Sequence, residues 1–266
     1  MITMGKRVSF PTRSFGSDAP EPEHDALAEW VGARRGRAAD LITYHLEAGL
    51  VPQIEARVTL PCAGGRFYQR RLLDSLFGIE GTAITGEVGC DTLPFVQDTL
   101  DLDIMQKNLW FAAPSPRELG LTDRYFQDRD EAAHSVYSAY QEMMRAMRDA
   151  GIAGHVLLCR NPAGEELDVL AGRKVFFFCH DQTRKSLALL LEHQALVAIR
   201  PSALGLIREL MDEYDVQKIV LLDAEKEDLV QALELKDPDS LLCAGYCQDS
   251  CSQYWKSIVE KASIIR

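Results

Sequence analysis

No apolar run in this 266-residue chain is long enough to cross a bilayer; stretches such as 175–178 and 187–191 fall far short of the roughly 20 residues a spanning helix needs. The N-terminus, MITMGKRVSFPTRSFG, carries basic residues but no apolar segment of the secretory kind, so a cytoplasmic protein without a membrane partner is expected. Basic residues are also short: 29 Lys and Arg stand against 40 Asp and Glu, a net charge of −11. Sequence-independent grip on nucleic acid comes from Lys and Arg neutralising phosphates, and this balance argues against it. P-loop, G-x-G-x-x-G and serine nucleophile-elbow motifs are missing. The seven cysteines are an odd number and do not read as a disulfide framework, which again favours a reducing compartment.

What is present is an ordinary globular composition, 47% hydrophobic and 26% charged, sufficient to bury one large core or two small ones. Residues 1–23, with Pro11, Pro20 and Pro22, read as an extended N-terminal arm. Helical spacing of Leu27, Trp30, Val31, Leu41, Ile42 and Leu46 predicts helix over 25–48, broken near Gly36 and stopped at Gly49. A strand over 54–60, a short helix over 67–77 and a strand over 81–85 make a βαβ unit, and 87–128 read as a long irregular connection with short helical pieces. Residues 130–150, with Val136, Tyr137, Tyr140, Met143, Met144 and Met147 on one face and Gly151 behind them, give the clearest helix. The second half alternates strands 155–159, 174–179, 196–199 and 218–222 with helices 183–193, 202–214 and 225–233. The fold class that follows is α/β, as two Rossmann-like halves with mostly parallel sheets: a first α/β domain over 24–160 and a second over 161–266.

Three groups of residues carry candidate chemistry. Gly64, Gly65 and Arg66 open a helix that also bears Arg70 and Arg71, a pattern suited to an anion because free N–H groups and guanidinium forks face it; turn-making glycines on a solvated helix would look the same. Cys243, Cys247 and Cys251 cluster near the C-terminus, where soft thiolates suit zinc or an iron–sulfur cluster, with buried thiols or a redox pair as alternatives. His180 and Asp181, Arg200 and Asp223 lie at strand ends, the edge of an open α/β sheet where ligands bind, although Thr183, Ser202 and Asp223 also suit helix capping.

The run LPCAGGRFYQRRLL, followed by TAITGEVGCDTLPF, resembles the opening of the thiamine-diphosphate domain of indolepyruvate-type 2-oxoacid:ferredoxin oxidoreductases. On that resemblance Cys62, Gly64 and Arg66 match its first turn, and Gly86, Gly89, Cys90, Thr92 and Leu93 its second. No Gly-Asp-containing magnesium–diphosphate motif follows, so thiamine diphosphate itself is not expected. The resemblance implies a diverged component of a ferredoxin-linked oxidoreductase system. Its catalytic candidates are Cys62, Cys90, His180 and Asp181; Gly64, Gly65, Arg66, Arg70, Gly86 and Gly89 hold a small anionic ligand or cofactor, and Cys243, Cys247 and Cys251 a metal or cluster. An oxidoreductase partner subunit or a second copy of the chain would be its partner. The competing reading is a non-catalytic small-molecule-binding or assembly protein on an α/β scaffold.

Overall fold

Eight parallel strands build the centre of the molecule: β1 Thr12–Ser17, β2 Cys62–Gly64, β3 Trp110–Pro114, β4 Gly154–Cys159, β5 Val175–Cys179, β6 Leu196–Ile199, β7 Lys218–Leu222 and β8 Leu241–Cys247. The computed structural model describes residues 7–34 and 39–265. Backbone ladders join the strands into two four-stranded arcs, β6-β7-β8-β1 and β2-β3-β4-β5. The arcs meet at β1 and β2, where Ser14 N–H donates to the Leu60 carbonyl (2.9 Å) and Leu60 N–H to the Thr12 carbonyl (2.9 Å). At the other seam the Gln194 side chain takes the place of a ladder: its Oε1 accepts Phe177 N–H (3.0 Å), and its Nε2 donates to the carbonyls of Phe177 and Leu196 (both 3.1 Å). The result is a closed β/α barrel.

Side-chain alternation explains the closure. Along each strand every second residue faces inward, and one apolar cluster draws on all eight strands, from Phe15 and Cys62 through Ala112, Val156, Phe176 and Ala198 to Val220 and Leu242. Residues of opposite parity, such as Leu157, Phe177, Val197 and Leu221, pack outward under the helices. The strands are therefore apolar on both faces, as parallel strands covered by helices must be. Arg13 is the exception inside: it is 5% exposed, and its guanidinium lies 4.3 Å from the Trp110 ring centre.

The α/β class and the parallel strands match the sequence expectation, but the strands expected as two Rossmann-like sheets belong to one barrel, whose arcs do not divide at residue 160: β5 sits with β2 to β4, and β1, from the expected arm, with β6 to β8. Strand–helix alternation is shared by both architectures; what separates them is whether the last strand returns to the first, and β8 pairs with β1. Several local readings change with it. The proposed arm contains β1, buried along its whole length. Leu41–Glu55 continues as helix through Gly49 and Pro52, started by a reciprocal capping box between Asp40 and Thr43; it takes the first two residues of the stretch expected as strand 54–60, and the rest is turn and loop leading to β2. Its Gln53 then holds β2 through both the N–H and the carbonyl of Cys62. The irregular stretch 87–128 contains helix Leu93–Met105 and β3. Helices His24–Ala33 and Leu41–Glu55 are separate, and the break expected at Gly36 lies outside the described residues.

From Arg129 onward the expectations hold closely. Helix Arg129–Asp149 is capped by Asp128, which accepts N–H groups of Asp130 and Glu131, and β4 to β7 fall within a residue of their predicted bounds. Four elements lie beyond the alternation read from sequence: helix Gly164–Leu170 between β4 and β5, β8, helix Cys251–Lys261 and the short strand Ser263–Ile265. Outside the barrel, Leu76–Glu80 and Ala83–Cys90 form an antiparallel hairpin over helix Arg129–Asp149. No helix among the described residues is long and apolar enough to cross a membrane.

Candidate functional site

The carboxyl ends of the eight strands open on one face of the barrel, the face where β/α barrels assemble their sites from strand-end loops. Ser17 leads there into Asp18, Gly64 into Arg66, Cys159 into Arg160, Cys179 into His180, Ile199 into Arg200 and Leu222 into Asp223. The chain thus delivers three arginines, one histidine and two aspartates to a single rim.

The Gly64–Gly65 turn is shaped by its strand neighbours. Gly64 has φ +81°, and a Cβ there would lie 2.1 Å from the Ala112 carbonyl oxygen; a Cβ on Gly65 would lie 2.1 Å from the Ser17 carbonyl oxygen. These glycines let β1, β2 and β3 approach one another. The N–H groups the turn was expected to offer to an anion are already engaged: Asp18 Oδ1 accepts from Arg66 N–H (2.8 Å) and Phe67 N–H (3.3 Å), and the Tyr246 hydroxyl accepts from Arg66 N–H (3.1 Å). Burial and the Asp18 carboxylate push the Tyr246 phenol well above its ordinary range, so it stays protonated. Arg70 turns away to Asp74, and Arg71 to Asp40 and Asp98.

What remains open at the rim is a cavity of about 310 Å³ at the ends of β2 to β5, lined by Arg66, Gln69, Glu118, Arg160 and His180 over Leu158 and Phe178. Glu118 is fixed by one oxygen, Oε1, which accepts Arg160 N–H at 2.7 Å. His180 sits between unlike neighbours: Asp181 Oδ1 lies 3.5 Å from its Nδ1, and Arg200 Nη2 3.4 Å from its Nε2. Asn161 steadies the other Asp181 oxygen (3.2 Å). The pocket thus presents guanidinium, imidazole and carboxylate groups on one wall and an apolar floor, a lining suited to a small charged molecule with an apolar part.

Other sequence candidates fall elsewhere. Cys62 is fully buried inside the barrel, where burial holds its thiol far above the usual range despite nearby Arg13. Cys90 ends the outer hairpin in a different cluster, its thiol pushed up to about 12 by burial and by Glu142 and Asp91. Gly86 and Gly89 lie on that hairpin too, and a Cβ on Gly89 would strike the Phe77 ring. Cys243 faces the outer layer, while Cys247 and Cys251 are joined by a disulfide beneath Trp255. Two of the three sulfurs are therefore bonded to each other, and the third lies in another cluster. No group of three or more His, Cys, Asp or Glu residues among the described residues is placed to hold a metal ion. Thr183 caps its helix as read; Asp223 instead receives the Tyr254 hydroxyl.

Sequence reasoning missed Asp18, Glu118, Arg160 and Tyr246. Arg160 had a signal, since it directly follows a predicted strand; Asp18 was hidden by the proline-rich reading of its segment.

Eight strands closed with their helices outside define the β/α-barrel class, and solved structures of that architecture resemble the chain along nearly its whole length. A protein from Listeria monocytogenes, described as a vitamin-B12-independent methionine synthase, superposes with a TM-score of 0.67 at 18% identity, covering 96% of this chain and 97% of its own. A B12-independent methionine synthase from a Shewanella species, in complex with selenomethionine, gives 0.66 at 16% identity, covering 96% of each chain. No family model matches the sequence, and no curated protein matches it. At these identities the likeness establishes the fold. It also overturns the resemblance to thiamine-diphosphate oxidoreductases, and with it the ferredoxin-linked function, the oxidoreductase partner subunit and the cluster-bearing cysteines.

Proposed function

We propose that the chain is a group-transfer enzyme of the methionine-synthase kind that holds an amino-acid-sized substrate at the carboxyl-end mouth of its barrel. The observation that carries this reading is the 310 Å³ cavity whose lining combines Arg66, Arg160 and Glu118 with Leu158 and Phe178. Guanidinium forks suit a carboxylate, the second oxygen of Glu118 suits an ammonium group, and the floor suits an apolar or thioether side chain. His180, beside Asp181, is assigned to proton transfer at the reacting group. The selenomethionine of the Shewanella complex is a ligand of this size and charge.

Calorimetric titration with amino acids, sulfur-containing ones included, tests the reading. Saturable binding is expected, weakened about tenfold to a hundredfold in Arg160→Ala, which removes one charge-assisted contact. His180→Gln should keep the affinity and lose transfer of a methyl group between a donor and a thiol. Lack of saturable binding across the panel overturns the proposal.

A further inference from the structure

A larger cavity, about 560 Å³, opens on the other side of the turn Pro116–Leu119 and is not used by the proposed substrate site. Helix Arg129–Asp149 supplies its floor through Ala132, Val136 and Tyr137, and Ile84 and Leu121 add apolar wall. Three polar features on this lining are unspent. Arg117 and Arg129 form no ion pair among the described residues. Tyr137 is 4% exposed as a residue and lines the cavity, and its hydroxyl forms no hydrogen bond to another described residue. Of the two carboxylates at the rim, Asp123 already accepts the N–H groups of Tyr125 and Phe126, and Glu165 stands exposed.

We propose that this cavity is a second ligand site for a small amphiphile, with a flat apolar body against Ile84, Ala132 and Val136 and one carboxylate, sulfonate or phosphate head paired with Arg117 and Arg129. The two halves of the lining exclude simpler occupants. A bare inorganic anion leaves the apolar floor in water, and a pure hydrocarbon desolvates two guanidinium groups without pairing them. The amphiphile satisfies both, and Tyr137 adds a donor directed to its head. Burial, followed by Glu166 and Glu165, raises the Tyr137 phenol above its usual range, with Arg117 and Arg129 opposing. The hydroxyl therefore keeps its proton to donate.

Anilinonaphthalenesulfonate, an anionic aromatic fluorophore, is the probe, and aromatic and medium-chain carboxylates and phosphates are the competitors. Saturable fluorescence displaced by a member of that panel is expected. The double variant Arg117→Ala, Arg129→Ala should weaken it about tenfold or more, and Ala133→Phe, at the half-buried edge of the cavity, should abolish it. Both variants should keep the wild-type melting temperature and the amino-acid affinity of the barrel mouth, which separates this site from the one proposed above. Fluorescence that both folded variants retain, or no saturable binding of probe and panel by the wild type, overturns the proposal.

Discussion

Arg71 Nε lies 3.0 Å from Asp98 Oδ2, and the Tyr68 hydroxyl donates to the same oxygen at 2.8 Å. Asp98 is only 3% exposed, and burial raises its carboxyl above the usual range although Arg71 and Tyr68 pull the other way. Breaking such a pair is far more costly than never having built it, because a buried charge is left uncompensated. Asp98→Ala should therefore destabilise the chain by about 3 kcal/mol or more, and Tyr68→Phe by about 1 kcal/mol. Urea unfolding with circular dichroism measures both; equal costs would contradict the central role of the carboxylate.

His155 gives the fold an acid sensitivity. It is fully buried with both ring nitrogens unpartnered, and burial, helped by nearby Arg148, lowers its pKa to about 3. Its unfolded value is about 6.5, so below that pH the unfolded chain takes up a proton that the folded chain refuses. Stability is thus lost as pH falls from about 6.5 toward about 3, with a slope of up to roughly 1.4 kcal/mol per pH unit from this group. His155→Leu should flatten the dependence of the urea-unfolding free energy between about pH 7 and about pH 4 by up to that slope. An unchanged slope would count against the neutral, buried imidazole.

Two glycines that both have positive φ should respond differently to alanine. Gly64, at φ +81°, would set a Cβ 2.1 Å from the Ala112 carbonyl oxygen; Gly81, at φ +63°, has open space around it. Gly81→Ala should cost about 1 kcal/mol, the left-handed penalty alone. Gly64→Ala should cost several times more, since β2 and β3 must also separate. Melting temperatures of the two variants decide the point.

Thiol counting tests the cysteine arrangement. Cys62, Cys90, Cys159, Cys179 and Cys243 are free, and Cys247 is bonded to Cys251. Alkylation after denaturation without reductant should label five cysteines, and with reductant all seven. Seven labels without reductant would remove the disulfide.

The sequence made the outer arrangement far more legible than the closure. Strands such as Val175–Cys179 and Lys218–Leu222 announce themselves because they are short apolar runs between turn signals, and Arg129–Asp149 because its apolar face repeats at helical spacing. Thr12–Ser17 has three hydroxyl residues, an arginine and a glycine in six positions, so nothing local marks it as strand; its burial comes from β2 and β8 on either side. Leu241–Cys247 was masked by its cysteines, which drew attention as ligands when they serve as small packing residues and a covalent tie. At the site, His180, Arg200 and Asp223 were legible as strand ends. Their company with Asp18, Glu118 and Tyr246 was not, because it depends on which strands become neighbours around the ring.

Gln194 makes that ring a clasped hoop. Seven seams are backbone ladders or bridges that open only by unzipping several amides, while the eighth rests on side chains: Gln194 spans β5 and β6, and past the strand ends Gln182 accepts Arg200 N–H (2.7 Å) and donates to the Ala198 carbonyl (3.4 Å). Both glutamines must change rotamer to unfasten it, yet neither change breaks a strand ladder on either arc. The fastening that closes the ring is therefore a matter of side-chain chemistry at the one seam that lies beside the imidazole assigned to proton transfer, and substitution of a glutamine reaches it without touching a ladder.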